Sequence, residues 1–165
     1  MQIIDEVFST REDPDQLQVD EQVIARLNEL HPATLTQLNA EDEIAQSLRI
    51  PNSTLPTTGP AIWILIIPTI RGLMEKFLSG EISEQEMFDA TKPGMKFDCI
   101  YLCSATVLPE YRRKGLAMKM TVDAVRKVME DFEIKTLFVW PFSEGGEGLA
   151  RRIAGEVELD LRVKK

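Results

Sequence analysis

Histidine and cysteine are scarce in this chain, which has one His and two Cys in 165 residues. A protein-held zinc or iron centre needs three or four such ligands at defined spacings, and neither Cys-x-x-Cys nor His-Glu-x-x-His occurs. No metal is therefore expected. Cys99 and Cys103 lie four apart in a segment that reads as a strand, too distant to bond to each other, so packed free thiols are expected. Long apolar runs are also missing. The longest, Ala61 to Ile67, is too short to span a bilayer. The opening Met1-Gln2-Ile3-Ile4-Asp5-Glu6 has neither the basic lead nor the apolar stretch of a signal peptide, which predicts a cytoplasmic protein. Basic residues are outnumbered, 19 to 27, for a net charge of −8. That balance argues against nucleic acid or an anionic membrane as partner, because phosphate-rich surfaces need a basic face.

What is present suffices for one domain. With 44% hydrophobic residues, a single unit over 1–165 can build an ordinary core. The acidity is not spread evenly. Residues 1–58 carry 11 acids and three bases, whereas 59–165 carry 16 of each. The acidic part reads as mainly helical. Asp20 can cap a helix whose Val23, Ile24, Leu27 and Leu30 share a face, with Val19 and Ile24 as its staple and Pro32 beyond its end, where His31 is a helix-end residue. A second helix is expected over Ala40 to Leu48, capped by Asn39, before a turn-rich stretch from Pro51 to Pro60.

Residues 59–165 read as the sheet. Ala61 to Ile67 is continuous, apolar and β-branched, the signature of a strand buried on both faces, so helices are expected on both sides of the sheet. Arg71 to Leu78 suits a helix ending at Gly80, and Ser83 with Glu86 forms a capping box for another. Phe97 to Val107 is a second strand. Lys114 to Asp131 has helical spacing, Lys135 to Trp140 reads as a strand, Glu147 to Ala154 as a short helix, and Val157 to Val163 as a last strand. Strands alternating with helices predict βαβ units and an α/β (α+β) fold.

The segment Ala105-Thr106-Val107-Leu108-Pro109-Glu110-Tyr111-Arg112-Arg113-Lys114-Gly115-Leu116-Ala117 carries the chemistry. It joins a buried strand to the long helix, where unpaired N–H groups and the positive end of the helix dipole suit an anion with several phosphate charges. From Tyr111 to Lys127 there are six bases against Asp123 alone. Gly115 allows a close backbone approach, and Ala117 leaves the first turn unobstructed. A solvated basic helix start is the plainer reading of the same residues. Gly145-Gly146-Glu147-Gly148 is a poorer phosphate loop, since Glu144 and Glu147 would repel the ligand.

The strand, the Val107-x-Pro109-Glu110-Tyr111 lead-in, the hexapeptide Arg112 to Ala117 and the amphipathic helix together resemble the acetyl-CoA-binding core of the GCN5-related N-acetyltransferase (GNAT) superfamily, over about residues 97–154. The resemblance implies a mixed, partly splayed sheet and acetyl-CoA as acyl donor. It implies that Arg112, Arg113, Lys114, Gly115, Leu116 and Ala117 hold the pyrophosphate and that Ala105, Thr106 and Val107 bond the pantetheine arm. Ser143 stands nearest the family's Asn, a coenzyme contact in that pattern and a helix-cap or turn serine otherwise. The family's thiolate-protonating Tyr has no counterpart, since Ala150 or Ala154 falls there. Tyr101 occupies the position of the base in members that acetylate protein lysines, and packs as an ordinary strand tyrosine otherwise.

Three readings follow. The first is an N-acyltransferase acting on a small-molecule or protein amine, towards which the acidic helices of 1–58 would face. The second is a non-catalytic acyl-CoA binding module. The third is an interaction protein that forms a homodimer through an apolar face and meets an acidic partner with its basic loop.

Overall fold

The computed structural model describes residues 20–49, 58–112 and 114–165. The expected Val19 staple contact, most of the turn-rich stretch and Arg113 lie outside the described residues. The elements run α1 (Glu21–Leu30), β1 (Leu35–Asn39), α2 (Glu43–Leu48), β2 (Pro60–Thr69), α3 (Arg71–Leu78), α4 (Glu84–Ala90), β3 (Cys99–Val107), a 3-10 turn (Pro109–Tyr111), α5 (Leu116–Asp131), β4 (Thr136–Val139), α6 (Glu144–Val157) and β5 (Asp160–Val163). The five strands form one mixed sheet in the order β1-β2-β3-β4-β5. Its first two pairings are antiparallel and its last two parallel.

Local chemistry explains most of the boundaries. The Asp20 side chain accepts from Val23 N at 2.9 Å and opens α1, and His31 is its C-cap. Ser83 and Glu86 close the capping box that starts α4, with bonds of 3.1 and 3.0 Å. Such a box satisfies two of the N–H donors that a helix start would otherwise leave without partners. Gly80 follows α3 at φ +85°, a left-handed position that glycine takes without strain. In β2, Ala61, Ile62, Ile64, Leu65, Ile66 and Ile67 are all buried, because the strand sits inside the sheet with layers on both sides.

On one face Phe77 of α3 meets Tyr101 edge-on at 5.2 Å, and Tyr101 stacks on its β4 neighbour Phe138 at 5.0 Å. On the other, α5 and α6 pack against each other and against the sheet. Both helices belong to right-handed crossovers that step the same way along the sheet, which puts them on a single side. Helix α1 ties into the first layer. The Arg26 guanidinium lies 4.2 Å from the centre of the Phe88 ring and bonds Asp89 at 2.9 Å, and this bond holds the Asp89 carboxyl below its ordinary value.

Three expectations are corrected. The sheet is not confined to residues 59–165, because Leu35–Asn39 forms the edge strand β1 and pairs with β2. Helix α2 starts at Glu43 rather than Ala40, with Asp42 at its N-cap, since Asn39 belongs to the strand. Helix α6 runs from Glu144 to Val157, so Val157 packs as a helical core residue, and Glu158 at φ +58° ends the helix before β5.

Candidate functional site

The site begins where two strands part. Strand β3 pairs with β4 only from Cys99↔Thr136 to Leu102↔Val139, then runs on for five residues, Cys103 to Val107, alongside β2 alone. On the β2 side the register jumps from Leu65↔Ser104 to Ile66↔Leu102, so Cys103 is an extra, bulged residue. A bulge bends and twists its strand and changes where the following residues point. The result is a β3 edge from Cys103 to Val107 with no strand on its β4 side among the described residues, and Thr106 is exposed there while Ala105 and Val107 are buried.

This edge feeds the loop before α5. Gly115 is the N-cap of α5 at φ +73° and ψ +9°, with no side chain capping the helix. The first intrahelical bond runs from Lys119 N to Gly115 O at 3.1 Å, which leaves the N–H groups of Leu116, Ala117 and Met118 with no partner inside the helix. Nothing stands within 4 Å of where a Cβ on Gly115 would project, so the approach is open. Lys114 and Gly115 are exposed, Leu116 is partly buried, and Ala117 packs inward with no exposure.

Arg112 and Glu110 hold this loop in place. The Arg112 Nε–H donates to Val107 O at 2.7 Å, tying the loop back to the end of β3. Glu110 is nearly fully buried and lies 3.8 Å from the Arg49 guanidinium at the end of α2. Tyr111 is fully buried, and its hydroxyl has no hydrogen-bond partner among the described residues. From Gly115 a groove of about 400 Å³ runs along Met118, Lys119, Val122 and Arg126.

The remaining expected residues stand apart from the loop. Ser143 is the N-cap of α6, and its side chain accepts from Gly146 N at 3.1 Å. Tyr101 is fully buried on the α3 and α4 face, where its hydroxyl donates to the Glu84 carboxylate. Glu84 itself is only 1% exposed. Ala150 and Ala154 face the core from α6. Both cysteines are buried and too far apart in the strand to form a disulfide with each other. Burial and the neighbouring Asp98 carboxylate push the Cys99 thiol up to about 12, so it is no nucleophile at neutral pH.

Sequence reasoning missed Glu84 and Lys164. The Lys164 ammonium lies 5.2 Å from the centre of the Phe77 ring and 5.4 Å from that of Trp140, beside Glu84 in a pocket of about 340 Å³. No local motif announces this grouping, because it joins α3, α4, the end of β4 and the end of β5. His31, by contrast, has both ring nitrogens engaged: Nδ1 accepts from Ala33 N at 3.0 Å and Nε2 bonds the Asp131 carboxylate at 2.7 Å. It is therefore a structural link between α1 and α5. Among the described residues no three His, Cys, Asp or Glu side chains converge to hold a metal ion, and no helix is long and apolar enough to cross a membrane. Searches against protein-family models, curated proteins and solved structures return no match for the chain.

Proposed function

We propose that this chain is a GNAT-like acyl-CoA-dependent N-acyltransferase that passes an acetyl group to a primary amine. The observation that carries the reading is the continuity of an open strand edge, Cys103 to Val107, with an uncapped helix start at Gly115. An anionic cofactor with a long amide-bearing arm needs those two features in that order. The N–H groups of Leu116, Ala117 and Met118 bind the diphosphate at the positive end of α5. The edge of β3, where the Arg112 Nε–H already holds Val107 O, exchanges its remaining backbone hydrogen bonds with the amides of the arm. Bound there, acyl-CoA supplies an activated thioester. A backbone N–H near Val107 then stabilises the charge that develops on the carbonyl oxygen.

A second reading, a non-catalytic acyl-CoA module, is favoured by one observation. Alanine occupies both candidate positions for the general acid on α6, and the Tyr101 hydroxyl is committed to Glu84. A departing thiol with pKa near 8.5 can nonetheless leave without assistance. Incubation with acetyl-CoA and a panel of primary amines, with free thiol as the readout, decides between the two. Amine-dependent thiol release supports the transferase. Coenzyme binding with a silent panel favours the module, and absence of coenzyme binding removes both.

A further inference from the structure

The pocket between α3, α4 and the end of β4 already holds a cation, and that cation belongs to the chain itself. Lys164 N–H donates to Val139 O at 2.9 Å, which extends the β4–β5 ladder and fixes the residue beside Trp140. Its ammonium then reaches over the faces of both Phe77 and Trp140. Among the described residues it makes no ion pair. What holds it is the negative face of two rings and the carbonyl end of α3, where a Cβ on Gly80 would stand 4.0 Å from Nζ. Glu84 adds a buried carboxylate to the wall, and Glu81 and Glu86 stand exposed at the rim. Aromatic faces with carboxylates beside them favour one small ammonium group. About 340 Å³ stays free with Lys164 along the wall, room for a short alkyl stem once the ligand's ammonium takes the place of Lys164 over the rings.

We propose that this pocket is a binding site for a primary alkylammonium ligand and that Lys164 is an internal occupant which the ligand displaces. Its use as the acceptor pocket rests on the acyltransferase reading. Trp140 is the first residue past the last β3–β4 rung, so the pocket adjoins the open edge along which a thioester arm would lie. An occupant tethered to the chain competes with every incoming amine. The apparent affinity is reduced by the fraction of time the pocket is filled.

Butylammonium at pH 7, titrated without coenzyme into the full chain and into Lys164→Met, tests this, with the Trp140 indole N–H followed by NMR and butanol as the uncharged control. Lys164→Met is expected to bind butylammonium roughly fivefold to thirtyfold more tightly than the native chain, with the Trp140 signal shifting. Butanol is expected to leave that signal in place. Lys164→Arg keeps a cation over the rings and is expected to bind as weakly as the native chain. Equal affinities for the native chain and Lys164→Met, or a Trp140 shift with butanol matching that with butylammonium, overturns the proposal. Lys164 is half-buried at the end of β5, and a thermal melt of each variant confirms that the comparison is made on folded protein. Because coenzyme is absent, a negative result here leaves coenzyme binding standing, and failure of coenzyme binding leaves the ammonium site standing.

Discussion

Gly115→Ala and Gly115→Glu share the backbone strain and differ in the glutamate's longer, charged side chain, so the pair separates strain from charge at the start of α5. At φ +73° any L side chain pays the left-handed penalty, about 1–2 kcal/mol. No steric term adds to it, because nothing lies within 4 Å of the new Cβ. Both variants should therefore stay folded; alanine loses this in full, which for a domain of this size is a fall in Tm of about 2–8 °C, and glutamate loses about 0.3–1 kcal/mol less because its carboxylate sits at the positive end of α5. Coenzyme affinity should split them. Alanine keeps every N–H of the helix start and costs a few-fold at most. Glutamate sets a carboxylate about 5 Å from a bound diphosphate, worth about 3 kcal/mol of repulsion per charge at an effective dielectric near 20. That is a loss of roughly 100-fold or more. Calorimetric titration with coenzyme A and thermal melts on the three proteins provide the readouts. If the glutamate variant binds coenzyme A as tightly as the alanine variant, the helix start is not the phosphate site, and an undiminished Tm in both would refute the strain argument.

Two further outcomes follow from the buried groups. Tyr101→Phe removes the hydroxyl that donates to buried Glu84, which should cost about 1–3 kcal/mol in denaturant unfolding; a loss under about 0.5 kcal/mol would contradict a buried bond to that carboxylate. Cys99 has its thiol raised from an unfolded value of 9.0 to about 12, so the native protein holds its proton where the unfolded chain releases it. The stability this contributes is complete below pH 9 and is lost as pH rises from 9 towards 12. At pH 8 a thiol reagent should label Cys99 only after denaturation, and rapid labelling of the native chain would contradict the burial.

The elements that were legible in the sequence are those whose signals are local. Ser83 and Glu86 announce α4, Gly80 ends α3, and the run from Ala61 to Ile67 reads as the buried strand that it forms. Strand β1 was not legible, because Leu35–Asn39 is five residues long, its residues are partly buried or exposed, and its strand character comes from pairing with β2. Helix α6 was read too short because Gly145, Gly146 and Gly148 depress helix propensity, while the Ser143 cap and the burial of Leu149, Ala150 and Ile153 carry it in the fold. The loop before α5 was visible as a basic helix start. Its counterpart, the parting of β3 from β4, depends on a bulge at Cys103 that no residue type signals. The Lys164 pocket was invisible for a related reason, since four separate segments build it.

The location of bound coenzyme tests the central claim most directly, and a crystal of the chain grown with coenzyme A would provide it. The account predicts the diphosphate on the N–H groups of Leu116, Ala117 and Met118, with the pantetheine arm along the β3 edge from Cys103 to Val107. Ordered coenzyme anywhere else on the surface, with that edge and the start of α5 left bare, would contradict it.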